Sequence, residues 1–74
     1  MDIIAEFKRG ERIHLLDMEN ATKNGKRLSK AQVKSALEFC RNADKWDCSS
    51  HAVPVFNALL KYGYVDEAGR ILVD

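Results

Sequence analysis

Asp17, Glu19 and Asn20 close the segment Arg12-Ile-His-Leu-Leu-Asp-Met-Glu-Asn20, where an apolar run gives way to two carboxylates and a carboxamide. Oxygen donors grouped in this way suit a hard divalent cation such as Mg2+ or Mn2+, which lowers the pKa of bound water and neutralises charge developing on a phosphate. The same residue types cap helices and turns, so the grouping alone sustains both a metal-ligand and a structural role. A second set, Cys48 and His51 with Cys40 and the distant His14, lacks the recognisable four-ligand spacing of structural zinc.

Between Glu19 and Glu38 the chain carries no acid, while Lys23, Lys26, Arg27, Lys30 and Lys34 supply five positive charges. Such a run is either a solvated loop and helix start or a patch for phosphate, and Lys23, Lys26, Arg27 and Lys30 are the candidates for holding a nucleic-acid backbone. The net charge of +1 gives no global attraction to nucleic acid or membrane.

With 74 residues the chain is one small domain, or part of one, that buries little surface. Its stability is expected to lean on a homo-oligomer or on the remainder of a longer chain. No apolar run is long enough to span a bilayer and no basic-then-apolar leader opens the sequence, which suggests a soluble cytoplasmic protein. Two cysteines without a paired framework fit reduced thiols.

The elements that would position these groups follow from apolar spacing. Residues 1–11 form an N-terminal extension of ambiguous period, broken by Lys8-Arg9-Gly10. Residues 12–17 are expected to be a strand buried on both faces, followed by a polar connection with Asn24-Gly25 at its centre. Ser29 with Gln32 forms a capping box that starts a helix, and Val33, Ala36, Leu37 and Cys40 recur on its apolar stripe. Residues 45–50 suggest a short strand carried by Trp46 and Cys48. Pro54 then falls in the first turn of a second helix that ends at Gly63, and residues 68–74 give a last strand. Strand, helix, strand, helix, strand over 12–74 predicts an α/β domain with a small parallel sheet, βαβαβ, whose carboxyl edge carries Asp17.

Arg-Ile-His-Leu-Leu-Asp-Met-Glu-Asn at 12–20, Cys-Ser-Ser-His-Ala-Val-Pro at 48–54 and Gly-Arg-Ile-Leu-Val at 69–73 resemble, in this order, the opening half of PIN-like NYN domains. The resemblance covers most of residues 12–74. It implies a Rossmann-like fold and a Mg2+- or Mn2+-dependent ribonuclease acting on RNA, with Asp17 as the first metal acid, Asn20 as its polar companion and Glu19 assisting. The family's next acidic cluster follows the third strand, where this sequence stops at Asp74, so the ligand set is incomplete and an isolated chain should cleave little or nothing. His51 follows the second motif and could approach the same crevice, although a buried, hydrogen-bonded role suits it better.

Two other classes compete. Residues 49–65 followed by Asp-Glu-Ala-Gly-Arg-Ile-Leu resemble the recognition helix and wing of a winged-helix α+β DNA-binding transcription regulator, with the Ser29–Cys40 helix preceding them. Against that, the second helix is apolar, with Lys61 its one cation, and base recognition needs donors and cations. The third class is a small inhibitor that occludes a protein partner through Trp46, Phe56, Tyr62 and Tyr64. Those aromatics serve equally well as the core of so short a chain.

Overall fold

Apolar spacing over the first 23 residues is helical once the whole stretch is taken together. Phe7, Glu11, His14, Met18 and Ala21 step by three or four and all face inward, whereas Ile13 and Leu16 face out. The computed structural model, which describes residues 2–73, accordingly shows α1 over Ile3–Lys23, α2 over Lys30–Lys45 and α3 over Ser49–Lys61. No sheet is present among the described residues, whose single β-bridge pairs Val65 with Ile71.

The α/β parallel-sheet expectation is therefore overturned, and the winged-helix α+β alternative with it. Residues 12–17 lie inside α1, residues 45–50 run from the last residue of α2 through the turn into the start of α3, and 68–73 is an irregular segment holding half of the lone bridge. Six residues were too short a window for 12–17: Ile13, Leu15 and Leu16 satisfy a strand pattern locally, and only the longer repeat separates inward Leu15 from outward Leu16. Residues 3–11, expected as an extension, are the first half of α1. Its cap is Asp2, whose Oδ1 accepts from the backbone N–H groups of Ile4 and Ala5 at 3.1 and 3.4 Å. Asp74 lies outside the described residues.

Gly10, expected from the sequence to break the segment, sits within α1, where Phe39 of α2 packs against it. A Cβ built there would lie 2.8 Å from Phe39 Cε2, so the lower helix propensity of glycine is offset by close approach of the two helices.

Each helix ends on the same pattern of two backbone hydrogen bonds. Lys26 N–H donates to Ala21 O and Gly25 N–H to Thr22 O after α1; Cys48 donates to Ala43 and Asp47 to Asp44 after α2; Tyr64 donates to Leu59 and Gly63 to Leu60 after α3. The motif requires a left-handed residue, supplied by Gly25, Gly63 and, unusually, Asp47 with φ of 58°. The start of α2 is the capping box expected at Ser29: Gln32 N–H donates to Ser29 Oγ at 3.3 Å and Ser29 N–H to Gln32 Oε1 at 2.8 Å.

Met18, Val33, Val55 and Leu59 are fully buried at the centre, and Tyr64 and Val65 close the core from the C-terminal segment. A smaller cluster of Ala43, Cys48 and Ala52 receives Phe7. Among the described residues no helix is long and apolar enough to cross a membrane.

Candidate binding groove

Asp17, Glu19 and Asn20 are all exposed on α1. Residues two apart on a helix point about 200° away from each other, so Asp17 and Glu19 cannot close on one cation. Asp17 and Asn20 do share a face. They line a cleft of about 260 Å3 with Asn24, Gln32 and the cations Lys26 and Arg27, a setting with one carboxylate and two positive charges. Among the described residues no three His, Cys, Asp or Glu side chains gather closely enough to hold a metal. The residues present do not fit the Mg2+ or Mn2+ centre expected of them.

The cysteines and histidines are likewise occupied singly. His51 Nδ1 lies 3.1 Å from Glu11 Oε2, joining α3 to α1. The Cys40 thiol contacts Ala52 O at 3.7 Å and the Cys48 thiol contacts Trp46 O at 3.4 Å. Burial pushes the Cys40 thiol above its usual range, which keeps it protonated and unreactive. His14 packs against Phe39 in a tilted arrangement, with ring centroids 5.3 Å apart and an interplanar angle of 52°. Of the aromatics expected to anchor a partner, Tyr64 is buried, Phe56 and Tyr62 are half-buried, and Trp46 alone is exposed, at 53%.

The basic run divides. Lys23 ends α1, while Arg27, although exposed, lies against the C-terminal segment: its guanidinium carbon sits 4.9 Å from the centroid of the Tyr64 ring and its Nη2 donates to Gly63 O at 3.2 Å. Tyr64 in turn accepts the Leu28 backbone N–H on its hydroxyl at 3.3 Å. Arg27 thus ties the α1–α2 corner to the C-terminal segment. Lys30 points elsewhere.

Lys30, Lys34, Leu37 and Arg41 follow one another at steps of four, three and four residues, which places them on one face of α2. With Gly69, Arg70 and Ile71 they line a hollow of about 530 Å3. Arg70 is 81% exposed and pairs with Asp66 at 3.2 Å, a surface contact too weak to withhold it from a ligand. An adjoining hollow of about 430 Å3 shares Leu37, Arg41 and Gly69 and continues onto α3, where Ser49, Val53 and Asn57 form its far wall. Asp44 and Glu67 stand at its edge.

The exposed stripe of α3 is Ser49, Val53, Asn57 and Lys61, each four residues from the last. Its polar character is hidden when the helix is averaged, since apart from the exposed Ser50 the remaining residues are buried or half-buried. The cations missing from α3 are supplied by α2 and the 66–70 turn. Helical spacing could have placed Lys34 and Arg41 beside Lys30; nothing in the sequence could have brought Arg70 to them. Between α2 and α3 lie only Trp46, Asp47 and Cys48, the length of turn that joins the two helices of a helix-turn-helix unit.

Charge on α2 also runs against what helix stability favours. Its first turn holds Lys30 and no acid, and Asp44 lies in its last turn, although Lys45 there has the favourable sign. Comparison with protein-family models, curated proteins and solved structures yields no match to this chain, so the groove stands on its geometry alone.

Proposed function

We propose that this chain is a non-catalytic module that binds duplex DNA, with the exposed stripe of α3 directed at base edges and the cations of α2 and the 66–70 turn directed at phosphates. The observation that carries this is the shared wall of the two hollows, Leu37, Arg41 and Gly69, across which the hollow lined by Lys30, Lys34 and Arg70 adjoins the one lined by Ser49, Val53 and Asn57. Serine and asparagine offer hydrogen bonds to base edges, Val53 suits the thymine methyl group, and the cations provide sequence-independent affinity. A helix enters the wide major groove of B-form DNA more readily than the deep, narrow one of duplex RNA, which favours DNA over the RNA expected from the sequence. Ribonuclease chemistry loses its basis here, because the strand edge that would have carried Asp17 is a helix surface.

Four cations set the scale. The logarithm of affinity should fall with the logarithm of salt concentration with a slope no steeper than about −4. Fluorescence anisotropy with a labelled mixed-sequence duplex tests this directly. The double reversal Lys34→Glu with Arg41→Glu should lower affinity at least ~10-fold while leaving the thermal melt unchanged. Glu67→Gln, which removes an acid from the groove edge, should strengthen binding. Unchanged affinity in both variants, or a preference for single-stranded RNA that neither variant alters, would sink the proposal.

A further inference from the structure

The outer face of α1, opposite the core, has a pattern of its own. Glu6, Arg9, Ile13, Leu16, Asn20 and Lys23 recur at alternating steps of three and four and are all exposed. That is the spacing of a helix-pairing seam. Ile13 and Leu16 are large aliphatic residues at its centre, 49% and 51% exposed, with charged or polar residues at both ends.

We propose that α1 pairs antiparallel with α1 of a second copy of this chain, about a two-fold axis passing between His14 and Leu15. Under that symmetry a residue meets the one whose number brings the sum to 29, and the contact is repeated on the other side. Ile13 meets Leu16 of the second copy, Arg9 meets Asn20, and Glu6 meets Lys23. Side chains lean toward the N-terminus of each helix, which brings flanking residues with sums near 31 together, so Arg12 meets Glu19. Every charged contact on the seam and this flank is then between opposite signs, or between a cation and an amide.

Parallel pairing of the same seam sets Glu6 on Glu6, Arg9 on Arg9 and Lys23 on Lys23, and its one favourable flank is Arg12 with Asp17. The charges therefore select the antiparallel arrangement as well as permitting it. The total surface is consistent with an uncovered face: the chain exposes 5246 Å2, against about 4,600 Å2 for a compact protein of this mass. No α1 residue lines either hollow of the groove, so pairing leaves that groove open and is independent of what it binds.

Two aliphatic residues from each copy make a small interface, so the dimer should be weak, with a dissociation constant between about 1 μM and about 1 mM. Sedimentation velocity of the full chain across that range reads it. Ile13→Glu should leave a monomer at every concentration, and Arg12→Glu should raise the dissociation constant at least ~10-fold. Circular dichroism of each variant confirms that the helices persist. Restoration by adding Glu19→Arg to Arg12→Glu supports antiparallel pairing; restoration by adding Asp17→Arg instead shows parallel pairing and overturns the proposal. A monomer at the highest concentration, or a dimer unaffected by Ile13→Glu, overturns it as well.

Discussion

The α1–α2 corner and the outer face of α2 draw Arg27, and Lys30 with Lys34, from the same acid-free basic stretch, yet they use these cations in opposite ways. At the corner, Arg27 lies over the buried Tyr64 ring and donates to Gly63 O, so its charge serves the fold. On α2, Lys30, Lys34 and Arg41 border an open hollow. The difference arises from what each backbone position faces. Tyr64 returns beneath the corner after α3 ends, giving Arg27 an aromatic face and a free carbonyl, while α2 turns its cationic side away from the core. A run of charges in sequence is therefore not a surface, and its members have to be assigned one at a time.

The largest test of this contrast removes the platform on which Arg27 rests. Tyr64 is 2% exposed, and Tyr64→Ala should destabilise by about 3–5 kcal/mol, the usual cost of emptying a large aromatic site. A chain of this size has a total stability of roughly 4–11 kcal/mol, so the variant should be partly unfolded at 37 °C. Tyr64→Phe isolates the hydroxyl and should cost about 1–3 kcal/mol, because the buried Leu28 N–H loses its acceptor. Urea denaturation measures both. A loss below about 1 kcal/mol for Tyr64→Ala would show that the corner does not depend on this ring.

A smaller effect separates the two groups of cations. Arg27→Ala should lower stability by about 1 kcal/mol through loss of the stacking and the hydrogen bond, with little change in DNA affinity. Arg41→Ala should do the reverse, altering stability by less than about 0.5 kcal/mol while weakening binding several-fold. If both variants changed stability alone, the division between structural and ligand-directed cations would fail.

The sequence made some of this legible and concealed the rest for physical reasons. The capping box at Ser29 and the glycine stop at Gly63 depend on residues within a few positions of one another, and both stand in the structure as local chemistry dictates. The start of α1 at Asp2 is equally local chemistry, yet the ambiguous period of residues 1–11 hides it, and Gly10 reads as a break because its contact with Phe39 is not visible in the sequence. Residues 12–17 of α1 read as a strand because six apolar-rich residues contain too little period to decide, and the expected metal site rests on that strand. With a helix there, Asp17 and Glu19 diverge. The groove was half legible: the spacing of Lys30, Lys34 and Arg41 is visible, but Arg70 reaches them only through the packing of the C-terminal segment.

The smallest expected effect is a pH dependence of stability, and it should belong to the α1 side of the molecule. His14 packs against Phe39 at a tilt, and burial lowers its pKa below 6.5, with the nearby Asp17 carboxylate opposing that shift in part. Above pH 6.5 the imidazole is neutral in both folded and unfolded chains and contributes nothing. As pH falls through 6.5 the unfolded chain takes up the proton first, so stability declines, and the decline levels off below the folded-state pKa. Urea denaturation between pH 7.5 and 5 should show this slope, and His14→Gln should flatten it relative to the parent chain, whereas Lys34→Gln on the α2 face should leave it unchanged. An equal slope in His14→Gln would mean that the sensitivity arises from another titrating group and that the Phe39 contact tolerates a charged imidazole.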